Sequence, residues 1–202
     1  MPKVLSAADI EAFRERLCDA AEEKFAARGP EAVTMRDLAD AMGVSPMTPY
    51  RYFKDKDAIL AAVRARAFNR FAQAMEEAFD RLKGKTPSQP GSAYIDFALN
   101  NRAAYRMMFD TSQPTADNYP ELQQAMDRAK ATMTAGWKHM KAKGLIQGDV
   151  EMLGHIYWSA MHGPIMLELA GLLKKPLDGR MLATKAIQAL HTEFSVPKKG
   201  RF

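Results

Sequence analysis

The sequence predicts an all-α protein, in which an N-terminal three-helix unit is joined by a long helix to a larger C-terminal helical domain. Apolar residues recur at three- and four-residue spacing through most of the chain, whereas the alternating β-branched pattern of strands is nearly absent. The 12 glycines and 11 prolines lie mostly between these periodic segments, where helices end. Because 47% of the 202 residues are hydrophobic, the chain can bury a sizeable core.

The first helix is predicted from Ala8 to Arg28, and Gly29-Pro30 ends it. Cys18 lies on this helix and is expected to be a packing residue, because a single cysteine cannot form an internal disulfide and suits a reducing cytoplasm. The apolar stripe of the helix consists of Ile10, Phe13, Leu17, Ala21 and Phe25.

Two short helices around a tight turn are predicted between residues 34 and 53. Thr34 is a favourable N-cap for the first helix, and Gly43 can adopt the left-handed conformation that ends it. Ser45 followed by Pro46 is a start signal for the second helix, which we expect to continue to Phe53. This layout is typical of a helix-turn-helix unit that binds DNA.

The same segment resembles the N-terminal domain of the TetR family of transcriptional regulators, over a stretch from about Ile10 to Phe68. The resemblance implies a DNA-binding domain in residues 1–54 and a ligand-binding and dimerisation domain in residues 55–202. The matching residues are Phe25, Gly29, Thr34, Leu38, Ala39, Gly43, Val44, Ser45, Tyr50, Tyr52, Phe53 and Lys56.

The resemblance also implies that the helix from Ser45 to Phe53 lies in the major groove of double-stranded DNA. Met47 and Thr48 would face the bases, while the other residues would mostly hold phosphates, which position the protein without specifying sequence. For the tyrosines, packing beside Phe53 is the alternative. The implied DNA-binding residues are Thr34, Arg36, Ser45, Met47, Thr48, Tyr50, Tyr52 and Lys56.

Pro49 departs from the family pattern, which usually has a leucine or similar residue at this position. As the fourth residue of the predicted helix, proline removes a backbone donor and crowds the Ser45 carbonyl. We therefore expect a distorted or tightened first turn, with phosphate contacts more strongly indicated than base contacts.

The net charge of +5 does not locate the DNA-binding end of the chain. Residues 1–83 contain 14 basic and 14 acidic side chains, whereas residues 84–202 contain 15 and 10. Local placement is more informative, because Arg51, Lys54 and Lys56 cluster against Asp55 alone where a phosphate backbone would lie.

A long connecting helix is predicted next, with Asp55 as its cap and an end at about Lys83. Five further helices are predicted after a linker at residues 84–92, and Pro120 and Asp149 would begin two of them. A loop is expected through Pro114, and the tail from Val196 is basic. The helices are predicted at about residues 55–83, 93–101, 103–109, 120–143, 149–173 and 178–194.

Aromatic and methionine residues of the C-terminal half could line a cavity for a small hydrophobic or aromatic effector. Such residues at helical spacing are also common in ordinary cores, which is the alternative interpretation. The candidate ligand-binding residues are Tyr94, Phe97, Tyr105, Met108, Phe109, Met133, Trp137, Met140, Tyr157 and Met161.

The helix beginning at Asp149 is apolar nearly all round, so it must be covered on all sides, and a second copy of the chain is the expected cover. Paired with the last helix, it would form a four-helix interface in a homodimer. The C-terminal half resembles TetR-like regulators with a Trp-x-x-x-His-Gly signature, here Trp158, His162 and Gly163, although Pro164 should kink or interrupt that helix. The candidate interface residues are Trp158, His162, Ile165, Leu169, Ile187 and Leu190.

Other classes of protein are disfavoured. No glycine-rich phosphate loop, nucleophile elbow or paired acid motif indicates an enzyme or a cofactor, and no carboxylate or cysteine accompanies His155 and His162 at metal-ligand spacing. The longest uncharged run, residues 152–167, is too short to cross a membrane, so we expect a soluble cytoplasmic protein. A helical protein-interaction module without sequence-specific DNA binding is the competing interpretation.

Overall fold

All regular secondary structure in the described residues, 6–81, 91–110 and 115–194 of a computed structural model, is helical. Short 3₁₀ turns cover Pro30–Ala32, Pro49–Arg51 and Ala116–Asn118. The predicted all-α fold class is confirmed. The α-helices are α1 (Ala7–Arg28), α2 (Met35–Ala41), α3 (Lys56–Arg81), α4 (Ser92–Asn100), α5 (Arg102–Met108), α6 (Pro120–Ala142), α7 (Val150–Leu169) and α8 (Gly179–Phe194).

The chain divides into two compact units. The first unit consists of Met1–Phe68 and Met107–Ala125, and the second consists of Asn69–Arg106 and Met126–Phe202. The long helices α3 and α6 therefore each contribute their first turns to the first unit and their later turns to the second.

Local capping chemistry sets where several helices begin, as the sequence predicts. Asp55 accepts a hydrogen bond from the Ala58 amide at the start of α3, and Asp149 accepts one from the Met152 amide at the start of α7. Each bond satisfies an amide that has no partner within its helix. The predicted linker up to Pro90, the loop from Thr111 to Pro114 and the basic tail lie outside the described residues.

The core of the first unit is formed by α1, α2 and the first half of α3. Ile10 was predicted to be part of it, but its side chain is 40% exposed, because the stripe on α1 is covered only from Phe13 onward. Cys18 is buried there, and burial raises the pKa of its thiol to about 11, as expected for a packing residue. The buried cluster contains Phe13, Leu17, Cys18, Ala21, Phe25, Val33, Met35, Leu38, Phe53, Ile59, Leu60, Val63 and Met107.

In the second unit, α7 packs along α8 and also approaches α6 closely. A Cβ atom on Gly154 of α7 would lie 3.2 Å from the Thr134 methyl and 3.4 Å from the Met133 carbonyl oxygen of α6, so glycine permits this approach. Thr134 is buried at the contact, whereas Met133 and Trp137 of the same helix, both candidate ligand-binding residues, are half-buried. Because Gly154 lets α7 approach α6 closely, the side chain buried at this contact is a small one, that of Thr134.

One continuous helix, α7, includes Pro164, so no new helix begins at this proline. None of the helices within residues 6–81, 91–110 and 115–194 combines the length and apolar character needed to cross a bilayer.

Candidate nucleic-acid interface

A reciprocal cap fixes the beginning of α2, the first helix of the predicted DNA-binding unit. The Thr34 hydroxyl accepts a hydrogen bond from the Asp37 amide at 3.1 Å, and the Asp37 carboxylate accepts one from the Thr34 amide at 2.8 Å. These bonds from Thr34, together with Arg28 at 3.0 Å, hold the pKa of the Asp37 carboxyl well below its ordinary value. The predicted cap at Thr34 is confirmed, and its position exposes the N-terminal end of α2.

Gly43 ends α2 as predicted. Its φ angle of +64° lies in the left-handed region, and its amide donates to the Asp40 carbonyl while the Val44 amide donates to the Ala39 carbonyl. This pair of bonds is the Schellman arrangement, which satisfies the last carbonyls of the helix. Val44 then packs against the core of the first unit. The turn is therefore held by the hydrogen bonds at the end of α2 and by the packing of Val44 against the core.

The segment after this turn differs from the predicted α-helix over Ser45 to Phe53. Only the 3₁₀ turn Pro49–Arg51 forms, preceded by a turn in which the Thr48 amide donates to the Ser45 carbonyl at 2.9 Å. The reason is Pro49, which has no N–H to donate to the Ser45 carbonyl four residues earlier and whose ring is fully buried. The carbonyl takes the amide three residues along instead, which tightens the backbone.

Ser45 was also predicted to cap this helix, and that prediction is wrong. Its hydroxyl lies 3.1 Å from the Thr48 hydroxyl, and the cap position of the 3₁₀ turn is Thr48, without a side-chain hydrogen bond. Because the α-helical turn does not form, Ser45 has no helical amide to accept from.

The side chains predicted to face DNA differ in how freely they are presented. Met47 is 69% exposed and Tyr50 is 48% exposed, and Arg36, Ser45, Arg51 and Lys54 are also exposed, whereas Thr48 is half-buried. Three of the exposed residues, Arg36, Arg51 and Lys54, are basic.

Tyr52 and Lys56 are instead held by the first unit itself. The Tyr52 ring stacks on Phe13 with centroids 4.0 Å apart, and its carbonyl accepts a hydrogen bond from Arg14 at 2.9 Å. The Lys56 ammonium donates to the Pro30 carbonyl at 2.8 Å. Each side chain is half-buried, so part of each still faces solvent.

Candidate ligand residues fall into both units. Met108 and Phe109 belong to the first, where the Phe109 ring meets Phe68 edge-on and the Met108 carbonyl accepts a hydrogen bond from buried Arg64. The other eight lie in the second unit. Of these, Tyr94, Phe97, Tyr105 and Tyr157 are buried, and Met133, Trp137, Met140 and Met161 are half-buried.

Four of the polar rings in the second unit form a hydrogen-bonded chain. The Trp158 indole N–H donates to the Tyr94 hydroxyl at 2.9 Å, the Tyr94 and Tyr105 hydroxyls are 2.5 Å apart, and the Tyr105 hydroxyl is 2.7 Å from Nδ1 of His162. An indole can only donate, whereas each tyrosine hydroxyl can both donate and accept, so the direction of the bonds beyond Tyr94 follows from the tautomer of His162. Each donor then has an acceptor, which is the requirement for a buried polar group.

Tyr157 stands beside this chain and differs from it. Its hydroxyl is buried and has no hydrogen-bond partner within the part of the chain that the structure describes, and its ring lies 4.2 Å from that of Trp137. Burial raises the pKa of Tyr157 to about 12, so the phenol stays protonated and can donate.

Two family models match the chain. One, described as the bacterial regulatory proteins of the tetR family, matches residues 17–63, which include the capped turn and the predicted DNA-contacting residues. The other, described as the tetracyclin repressor-like C-terminal domain, matches residues 88–190. The chain belongs to the TetR family. Both models describe regulatory proteins and neither describes an enzyme.

Individual proteins resemble the chain in part of its sequence or in fold. An uncharacterized HTH-type transcriptional regulator of Mycobacterium tuberculosis is 41% identical over 58 residues, which span 29% of this chain and 29% of the relative. A Rhodococcus sp. RHA1 protein superposes with a TM-score of 0.77 at 22% identity, over 97% of this chain and 100% of that one. SmeT, the repressor of the Stenotrophomonas maltophilia efflux pump SmeDEF, gives 0.64 at 18% identity, over 92% and 91%. At 22% and 18% identity, these two solved structures are evidence for the fold alone.

The residues predicted for a TetR-type subunit interface are not equally available to a partner. Ile165, Leu169 and Ile187 are at most 4% exposed, because α7 and α8 cover them within the chain. Trp158, His162 and Leu190 are half-buried. Periodicity marks an apolar face but does not distinguish burial within a subunit from burial between subunits. The large apolar side chains left exposed on and beside these helices are Met152, Leu167, Leu172, Leu177 and Met181.

We expect the stability of the protein to fall in mild acid because of His162. Burial lowers the pKa of its imidazole below the ordinary value of 6.5, so the unfolded chain binds a proton at a higher pH than the folded chain does. The contribution of neutral His162 to the free energy of unfolding is therefore complete above pH 6.5. It is lost as the pH falls towards the lowered pKa of the folded protein. A protonated imidazole carries a hydrogen on Nδ1, so the Tyr105 hydroxyl would have to accept a hydrogen bond from it.

Urea unfolding followed by circular dichroism between pH 7.5 and 5 measures this dependence. The control is His162→Asn, which can accept from Tyr105 but does not titrate. Equal losses of stability in the two proteins over this range would exclude His162 as the source.

Proposed function

We propose that this protein is a transcriptional regulator, acting as a repressor, that binds a roughly palindromic operator as a homodimer. The observation that carries the proposal is the surface around the capped turn, where exposed Met47, Tyr50, Arg51 and Lys54 are presented on a buried core. The match of residues 17–63 to the bacterial regulatory proteins supports the same function. The repressor SmeT, which has a similar fold, supports the direction of control.

The contacts with DNA divide into those that hold phosphates and those that face bases. Arg36, Arg51, Lys54 and Tyr50 are exposed and would hold the phosphate backbone, together with the half-buried Tyr52 and Lys56. Met47 is the most exposed of the predicted base contacts and would meet thymine methyl groups. With a short 3₁₀ turn in place of a longer helix, each subunit reads few bases, and specificity comes from pairing two subunits.

The homodimer is proposed from the apolar surface of the second unit. Met152, Leu167 and Met181 lie exposed on α7 and α8, and Leu172 and Leu177 lie between these helices. Exposed apolar side chains on neighbouring helices favour burial against a partner. A four-helix contact about a two-fold axis would give the dimer two copies of the reading surface, related by that axis.

The effector is proposed to be small and mostly apolar or aromatic, with a group that accepts a hydrogen bond. The aromatic and methionine side chains of the second unit support the apolar part, and the buried, unpartnered Tyr157 hydroxyl supports the polar part. Binding would favour a dimer whose reading surfaces are wrongly spaced for DNA.

The Trp158, His162 and Gly163 signature supports placing the C-terminal domain in the corresponding TetR subset.

Selection of bound duplexes from a random-sequence pool tests the DNA-binding function. We expect enriched sequences with two-fold symmetry and half-sites separated by one or more helical turns, about 34 Å each. An unenriched pool, with dimerisation intact in sedimentation, would instead favour a protein-interaction module.

Lys54→Ala is expected to weaken binding to every sequence and to make the dependence of log K on log salt shallower by about one for each subunit. The reason is that Lys54 is exposed beside the turn and would neutralise one phosphate. Fluorescence anisotropy with the selected duplex between about 50 and 200 mM salt measures both effects.

Lys130→Ala is the matched control, because Lys130 is an equally charged, exposed side chain of the second unit. If both variants flatten the salt dependence equally, only net charge matters and Lys54 makes no local contact.

A further inference from the structure

Arg14 of α1 lies at the meeting point of four groups in the first unit. Its Nη1 donates to the Tyr52 carbonyl at 2.9 Å, and its guanidinium carbon lies 4.2 Å from the centroid of the Phe53 ring. Its other nitrogens face two carboxylates, Glu11 at 3.7 Å and Glu121 at 3.6 Å. The side chain is only 26% exposed, so its position is well defined by these partners.

The Tyr52 carbonyl needs such a donor. It follows the 3₁₀ turn Pro49–Arg51, and the last carbonyls of a helical turn have no partner within it. Arg14 supplies one from a residue 38 positions earlier. The neighbouring residue, Phe13, stacks on the Tyr52 ring with an interplanar angle of 19°. Two consecutive residues of α1 thus hold the backbone and the ring of Tyr52.

The contacts of Arg14 are unequal in strength. Glu11 and Glu121 have side chains that are 65% and 75% exposed, and exposed ion pairs at such distances contribute little. The charge-assisted hydrogen bond to Tyr52 and the stacking on Phe53 are shielded and directional. Both use the planar guanidinium, so lysine, with a compact ammonium, cannot reproduce them together.

We propose that Arg14 is a positioning residue for DNA binding: it fixes the backbone at Tyr52 so that the Tyr52 hydroxyl meets a phosphate. The inference rests on the proposed function, since it assumes that Tyr52 contacts DNA. Arg14 itself need not touch DNA, because its guanidinium is used within the protein.

A double-mutant cycle between Arg14→Lys and Tyr52→Phe tests this role. Tyr52→Phe keeps the ring that stacks on Phe13 and removes only the hydroxyl. Arg14→Lys keeps the positive charge and removes the planar guanidinium. Affinities are measured by anisotropy on a duplex selected with the wild-type protein. We expect Arg14→Lys to weaken binding about tenfold in the wild-type background, as for the loss of one charge-assisted hydrogen bond, and less than about twofold in the Tyr52→Phe background.

Two results would overturn the proposal: wild-type affinity in Arg14→Lys, or equal losses in the two backgrounds. Thermal melting checks that each variant is folded, and Arg14→Met, whose side chain is unbranched and has no donor, replaces Arg14→Lys in the cycle if the lysine variant is not folded. If wild-type protein selects no duplex at all, the proposed function itself fails, which is a different outcome from wild-type binding with an additive cycle.

Discussion

Replacing Leu38 with alanine is expected to lower the free energy of unfolding of the first unit by about 2–5 kcal/mol, the usual cost of a cavity at a fully buried leucine. Leu38 is 0% exposed and belongs to the core cluster. It lies on α2, whose seven residues are too few to form a stable helix without tertiary contacts. The loss should therefore release the capped turn and abolish binding to a selected duplex.

Chemical unfolding followed by circular dichroism measures the change. Leu145→Ala is the control, because Leu145 is 52% exposed and its truncation should change the free energy of unfolding by less than about 0.5 kcal/mol. A Leu38→Ala protein as stable as the control, with DNA binding retained, would show that α2 does not depend on this core contact.

Replacing Tyr105 is expected to have the largest effect in the second unit. Tyr105→Ala should cost about 3–5 kcal/mol, as for other buried aromatic side chains, because Tyr105 is 0% exposed. Tyr105→Phe should cost about 1–3 kcal/mol, because it keeps the ring but leaves the Tyr94 hydroxyl and His162 without their shared partner. The difference between the two variants separates packing from hydrogen bonding.

The same unfolding measurement applies to both variants, with Tyr50→Phe as the control for loss of an exposed tyrosine hydroxyl. If Tyr105→Phe is as stable as Tyr50→Phe, the chain from Trp158 to His162 contributes no stability. In that case its hydroxyls would be satisfied equally well by another arrangement.

The two predictions concern side chains, Leu38 and Tyr105, that differ in how far the sequence alone predicts their surroundings. The apolar spacing of α2 is enough to predict that Leu38 faces inward, and burial confirms it. The hydrogen-bonded chain around Tyr105 could not be predicted, because it joins α4, α5 and α7, which are separated by up to 64 residues between Tyr94 and Trp158. Helical periodicity describes one element at a time.

Local sequence is enough to predict the fold class and the ends of most helices, including the caps at Thr34 and Asp55 and the stop at Gly43. These features depend on groups within four or five residues of each other, so residue type and spacing specify them. It also predicts where α1 and α6 end.

Tertiary structure decided what covers each face and how each DNA-facing side chain is held. It placed Arg14 and Phe13 on Tyr52, buried Ile165 within the chain, and made Pro49 the first residue of a 3₁₀ turn. The last of these was partly foreseeable, since proline lacks a donor, but the burial of its ring was not. The physical reason is that contacts between residues far apart in sequence depend on how whole helices pack, which no single segment encodes.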